Sequence, residues 1–281
     1  MAKKVVGVGA AGVRLESGPE AEFFQIEDWE PYAVTAGFST RRKGVSGGPY
    51  AALNLGFNTE DEPQAVLQNR LRLARQLNLP LERWVAAHQV HGTRVAVVGA
   101  AEAGRGAATP ETALAEADAL ITSTAGLVLT AYFADCVPLL FFCPQPRAVG
   151  VAHAGWRGTA AGVAQAVVAA FRAHLGVEAP DLRVVVGPHV GSCCYRVGEE
   201  VVAALAERLG RDTSGWATQK EGQWWVDLGE ANIRVLERSG LGRDQIRRFS
   251  PCTSCRVEWF YSFRRDRRRT GRFTALICLR S

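Results

Sequence analysis

The sequence predicts an α+β fold in one domain spanning residues 1–281, and three observations lead there. Short apolar runs bounded by glycine and proline recur at 127–133, 137–142, 148–152 and 182–187, a pattern of buried strands rather than helices. Stretches with helical apolar spacing lie between and after them. No internal repeat or low-complexity linker divides the chain, and its length carries ample core.

Composition narrows the class. Hydrophobic residues make up 47% and charged residues 22% of the chain, ordinary values for a globular protein. No apolar stretch reaches the ~18 residues that would span a bilayer, so no membrane partner is expected. The first residues carry two lysines and small apolar side chains, but glycines interrupt that run and Arg14 breaks it. It reads as a cytoplasmic N-terminus and not as a signal peptide. Seven cysteines, an odd number scattered over a large chain, fit a reducing compartment better than a disulfide framework. A net charge of +5 permits anionic substrates without demanding nucleic acid, and a monomer is expected.

Residues 1–37 read as strands and turns without a chemical signal. Residues 38–49 form a glycine-rich loop with Arg41, Arg42 and Lys43 in succession; its backbone N–H groups and cations suit an anion, a solvated turn being the plain alternative. From Asp61, a proline in the first turn and Leu67, Leu71 and Ala74 on one face predict a helix of packing value. In the stretch His88-Gln89-Val90-His91 the two histidines point oppositely if extended, so one is functional and the other packed or exposed. Residues 99–117 are small and loop-like, the composition of a mobile flap. A strand starts at Asp118. Val163, Val167 and Phe171 place a helix over 159–175, with Trp156 and Arg157 near its N-terminus, where anions are favoured.

After the strand at 182–187, the vicinal Cys193 and Cys194 are expected to pack, since adjacent cysteines cannot both serve one ordinary site. Helices follow at 198–209 and 227–239, the second with Asp227 and Glu230 at capping-box spacing. Cys252 and Cys255 form a lone CxxC, which does not by itself specify zinc or a redox motif. The basic residues 267–272 read as a solvated hairpin tip before a last strand, Phe273–Leu279.

A polar pair, Asp135–Cys136, interrupts the apolar runs at the centre of the chain, and His153 ends the third run. Such a pair is costly in a buried setting unless something occupies it: a metal, or a reacting thiolate paired with His153. His174 lies on a helix without polar neighbours, which leaves His88, His91, His153, His189 and Cys136 as candidate ligands. Of these, His91, Cys136 and His153 sit at strand ends or glycine-flanked turns. Three N/S ligands around zinc leave a fourth position open, the catalytic pattern.

The strings RKGVSGGPYAALNLG, HQVHGTRV, TAYFADCVPLL, VAHAGWRGTAAGV, GPHVGSCCYRVGEEV and CTSC…FYSFRRD…TGR, in this order from about Phe38 to Leu279, resemble the YfiH-type laccase-domain family. Its members are also called polyphenol oxidoreductases and purine nucleoside phosphorylases. The resemblance implies a single-domain α/β sandwich with central mixed β-sheets flanked by helices, akin to cytotoxic necrotising factor. It implies zinc on His91, Cys136 and His153. It also implies phosphorolysis of adenosine, inosine and methylthioadenosine, with adenosine deamination. Lys43 and His189 depart from the family pattern, the second bearing on pocket size.

Within that reading Asp135 is the candidate proton carrier and Cys136 a catalytic ligand, with a backbone kink needed at the dipeptide. Arg41, Arg42 and Arg157 are candidate phosphate clamps, with Asn54 and Gln89 as further substrate contacts. Three alternatives stand beside it. Copper-dependent phenol oxidation at the same ligands is disfavoured by the single Met, Met1, and by five histidines in all. A metal-free cysteine hydrolase would use Cys136 as nucleophile and His153 as base. A peptidoglycan editing factor need not be an enzyme of nucleosides at all.

Overall fold

The computed structural model describes residues 12–280; the expectation for the first eleven residues lies outside them. In chain order the strands begin with β1 (Val13–Ser17), β2 (Glu22–Ile26), β3 (Val34–Ser39), β4 (Trp84–Val85), β5 (Val95–Val97), β6 (Ala119–Thr122) and β7 (Val128–Phe133). They continue with β8 (Val137–Cys143), β9 (Ala148–Ala154), β10 (Arg183–Val186), β11 (Arg196–Val197), β12 (Ala217–Lys220), β13 (Gln223–Val226), β14 (Ile246–Arg248) and β15 (Phe273–Leu279). The α-helices are α1 (Pro63–Leu77), α2 (Trp156–Ala161), α3 (Val163–Leu175), α4 (Glu199–Leu209) and α5 (Leu228–Arg238).

Two mixed six-stranded sheets carry the fold. The first runs β1-β2-β3-β15-β7-β4, and the second β14-β10-β8-β9-β6-β5. Among the described residues only β4 with β7, β5 with β6 and β10 with β14 pair in parallel within them. A small third sheet joins β11, β13 and β12.

Both faces of the central strands are apolar, which explains the unbroken runs in the sequence. On β8, Leu139 and Phe141 pack with Val167 and Phe171 of α3, whereas Leu140 and Phe142 pack against the first sheet. On β15, Ala275 and Ile277 face the second sheet, whereas Leu276 and Cys278 meet Leu73 and Leu77 of α1. The result is four layers, helix–sheet–sheet–helix. The expected α+β sandwich with helices flanking mixed sheets is the architecture observed.

Several elements differ in detail from the sequence expectation. α1 starts with Pro63 at its first position, as anticipated, but its buried side carries Val66, Asn69, Arg70, Leu73 and Leu77, and Leu67 and Leu71 are half-buried. The polar pair accounts for the rotation. Arg70 donates to the carbonyls of Leu55, Gly106 and Ala107 at 2.6–2.8 Å, its guanidinium lying over the rings of Phe57 and Tyr132. Asn69 donates to Ser46 Oγ and to the Asn54 carbonyl. The helix therefore organises loops as well as packing. Residues 99–117, expected as a mobile flap, are tied at Gly106 and Ala107 by Arg70, and at Leu114 by backbone bonds with Ala86 and His88.

The helix expected over 159–175 is split into α2 and α3 by Gly162 at φ +93°, a conformation that favours glycine. Asp227 caps α5 by accepting from Glu230 N at 2.9 Å, but the reciprocal half of the capping box is not formed. Asp227 N donates instead to the Trp216 carbonyl, and the Glu230 carboxylate pairs with Arg243. Residues 267–272 are not a hairpin tip, because β15 pairs with β3 and β7 and not with the chain before it. No helix among the described residues is long and apolar enough to cross a membrane.

Candidate metal centre

β7 belongs to the first sheet and β8 to the second, so residues 134–136 carry the chain from one to the other. The crossing needs a sharp turn, and Asp135 supplies it at φ +93°, a left-handed conformation rare outside glycine. The kink expected at the Asp135–Cys136 dipeptide is therefore present. β8 and β9 are antiparallel, with Val137 opposite Ala154 and Pro138 opposite His153. That register places Cys136 beside the end of β9, next to His153 and Gly155. A methyl group at Gly155 would lie 3.1 Å from Cys136 Sγ and 2.9 Å from the His91 ring; only glycine leaves that space clear.

His91 arrives from a separate loop, itself at φ +61°. The N–H groups of Val90, His91 and Gly92 all donate to the Asp118 carboxylate at 2.7–3.1 Å. His153 Nδ1 bonds Asp118 Oδ1 at 2.8 Å. One carboxylate thus fixes the loop that carries His91 and orients the ring of His153. With Nδ1 donating to Asp118, Nε2 of His153 keeps its lone pair for a metal, the usual second-sphere arrangement. The ligand atoms of His91, Cys136 and His153 all lie within 4.8 Å of one another, and the two imidazoles stand nearly perpendicular, at 82°.

The electrostatics suit a soft cation. Burial pushes the Cys136 thiol up, but His153 and His91 outweigh it and bring it well below the ordinary thiol range. Burial likewise acts to lower His153, and Cys136 with Asp118 reverse this and raise it. Thiolate beside two imidazoles is a donor set that fits zinc, with a fourth position left open. His91 is exposed, and the three side chains line a cavity of about 390 Å³.

Of the other sequence candidates, Gln89, Asp135 and Arg157 line this cavity. Gln89 exchanges two hydrogen bonds with the backbone of Tyr132, extending the edge of β7. Asp135 accepts from Thr253 Oγ1 and from the Arg264 amide, both at 2.6 Å. Arg157 lies over the Trp156 ring, its guanidinium carbon 4.3 Å from the centroid. Asn54 is fully buried behind the wall, where its Oδ1 accepts from the Arg272 amide.

Arg41 and Arg42, the expected phosphate clamps, are not among the residues that line the cavity. Arg41 donates twice to the Ala51 carbonyl and stacks on Tyr261, while Arg42 lies 3.4 Å from Glu22. The third cation of the loop is likewise used internally, Lys43 Nζ donating to Ser17 Oγ and to the Gly18 carbonyl. Arg272, from the stretch read as solvated, and Arg264, shortly before it, line the cavity instead. His189 turns away with Nδ1 on the Gly187 carbonyl and its ring toward Asp227, and leaves Val190 in the wall. His88 is exposed and outside the cluster, as one of the two histidines had to be.

Sequence reasoning missed Asp118, Tyr195, Arg264 and Arg272. The available signal for Asp118 was an acid set directly before the apolar run 119–121. Cys193 and Cys194 do not pack in the core. Cys193 is exposed and Cys194 half-buried, and both lie with Cys252 and Cys255 in one group of four sulfurs.

The family model described as multi-copper polyphenol oxidoreductase laccase matches residues 35–280. A Geobacillus stearothermophilus protein named purine nucleoside phosphorylase YlmD is 42% identical over 249 residues, covering 88% of this chain and 91% of that protein. A Deinococcus radiodurans purine nucleoside phosphorylase is 39% identical over 249 residues, 88% of this chain and 90% of its own. Among solved structures, YlmD from Geobacillus stearothermophilus superposes with a TM-score of 0.91 at 38% identity, over 95% and 99% of the two chains. The Bacillus licheniformis hypothetical protein YfiH does so at 0.89 and 39% identity, over 94% and 97%.

Proposed function

The chain belongs to the multi-copper polyphenol oxidoreductase laccase family, and on that footing we propose that it is a purine nucleoside phosphorylase with a zinc centre on His91, Cys136 and His153. The substrates in this reading are adenosine, inosine and methylthioadenosine, with adenosine deamination in the same cavity. The observation that carries it is the meeting of the His/Cys/His group with Arg157, Arg264, Arg272 and aromatic rings in one cavity. Relatives named purine nucleoside phosphorylase support the substrate class.

Zinc held there would supply Lewis-acid polarisation of a substrate or water oxygen. The chain's own residues do the rest. The three arginines bind phosphate, for which guanidinium forks are suited, and Tyr195 and Trp156 offer faces to the flat base. A phosphate oxygen then forms a bond to ribose C1′ as the C1′–N9 bond breaks, the electron pair leaving with the purine. In deamination a water oxygen takes the place of the C6 amino group, which leaves as ammonia. Asp135 is the proposed proton carrier: each of its oxygens already accepts one hydrogen bond, leaving one lone pair apiece for a substrate proton.

A second reading has a specific observation behind it. Asp118, His153 and Cys136 stand in the order of orienting acid, base and thiol nucleophile, with Asp118 and His153 at 2.8 Å. His91, which such a triad has no use for, favours the metal. The deciding experiment incubates purified protein with adenosine, inosine or methylthioadenosine, with and without phosphate, before and after exhaustive chelation, and for adenosine separates adenine from inosine. Adenine formed only with phosphate, and lost on chelation, is the expected result. Full activity after chelation would transfer the site to the cysteine reading, and no turnover of any of the three nucleosides would end the proposal.

A further inference from the structure

We propose that Cys193, Cys194, Cys252 and Cys255 form a second metal site, structural in kind, that holds zinc and ties together two loops behind the cavity. The inference is independent of the catalytic reading above. All four sulfurs lie within 4.8 Å of one another, with Cys255 Sγ 3.6 Å from Cys193 Sγ and 3.5 Å from Cys194 Sγ. A tetrahedron with zinc–sulfur bonds of about 2.3 Å has edges of about 3.8 Å, so the group is already close to that size.

Topology explains why ligands some sixty positions apart meet. β10 and β14 are neighbouring parallel strands, so the loops that follow them leave the sheet at the same end. Thr253 N donates to the His189 carbonyl at 2.9 Å and clamps the two loops together. Gly191 N donates to Cys252 Sγ at 3.2 Å, the kind of amide support a thiolate ligand needs. A side chain at Gly191 would come within 3.2 Å of Cys252 Cβ and 3.3 Å of Cys193 Sγ, so the space beside the sulfurs is kept clear.

The chemistry points to a cation. Cysteine is among the residues most often buried, as Cys143 and Cys278 are here, yet Cys193 and Cys255 are exposed. Four thiolates at this spacing repel one another unless a positive ion sits among them, and an all-sulfur set selects zinc or another soft ion. The site also bears on the cavity. Tyr195 follows Cys194 directly, and Thr253, between the two ligands of the CxxC, donates to Asp135 Oδ1. A metal here braces that wall from behind.

The test is metal content by mass spectrometry in full-length protein purified without chelator. The background is His91→Ala/Cys136→Ala, which disables the first centre. About one zinc per chain is expected there, falling to near none when Cys252→Ser and Cys255→Ser are added. Near-zero zinc in the background, or the same content in both, overturns the proposal. So does a disulfide joining Cys255 to Cys193 or Cys194 in protein alkylated at lysis. Should the fourfold variant prove insoluble, cobalt(II) loading of the background protein decides. The intense thiolate-to-cobalt charge-transfer band of a four-sulfur tetrahedral site supports the site, and its absence removes it.

Discussion

Gly155 shows how little room the centre leaves. Its backbone, at φ −72° and ψ 170°, would accept any residue, so Gly155→Ala should fold normally. The added methyl would press on Cys136 Sγ and the His91 ring. Metal affinity, measured by competition with a chromophoric chelator, should fall roughly tenfold or more, the scale of effects on a ligand's surroundings; an unchanged affinity would show the cluster to be looser than described. The arginines divide in the same manner. Arg272→Ala or Arg157→Ala should raise the KM for phosphate about tenfold, as expected of a lost charge-assisted contact. Arg41→Ala should leave it unchanged, since its guanidinium is spent on Ala51. Equal effects in all three would dissolve the distinction. The cost of the Asp135–Cys136 pair was legible in the sequence, whereas the proposed grouping of Cys136 with His91 and His153 rested on the family motifs. Asp118 was not legible, because an acid before a strand looks like a turn residue until the loop at 90–92 folds onto it.

At the level of elements, the N-terminus of α5 is held by one ionised group. Burial pushes the Asp227 carboxyl up, but the nearby His189 ring and the bonds from Arg248 and the Glu230 amide outweigh it and hold the carboxyl well below the usual carboxylate range. A carboxyl depressed in the folded state stabilises above its unfolded value, and that contribution disappears as the pH falls through the folded one. Stability to urea should therefore decline from about pH 5 downward, and Asp227→Asn, which keeps a capping side chain, should flatten that part of the profile. Asp227→Ala should cost about 1–2 kcal/mol at neutral pH. A profile that Asp227→Asn leaves unaltered would assign the acid sensitivity elsewhere. Helix starts were readable here from local chemistry, as at Pro63 and Asp227. What α1 does with Asn69 and Arg70 was not readable, because their partners at 45–55 and 106–107 are distant in sequence.

For the whole molecule, the faces of the two sheets share one core, with Phe38, Leu129 and Ile277 from the first meeting Leu140, Phe142 and Val151 from the second. We propose on this ground that the chain unfolds as a single unit. Calorimetry should give one transition, and Phe142→Ala should lower stability by about 3–5 kcal/mol while moving that transition as a whole. Two separable transitions would mean that the sheets are independent. By itself the sequence determined most strands and helix starts, which follow from local periodicity, and it marked Asp135–Cys136 as a costly polar pair; the choice of His91, Cys136 and His153 among five candidates came from the family motifs. The tertiary structure alone decided which arginines face the cavity, that Asp118 fastens His91 to His153, and that four scattered cysteines converge. Those facts depend on which loops leave the same end of a sheet, and strand order is a property of long-range pairing that no local pattern encodes.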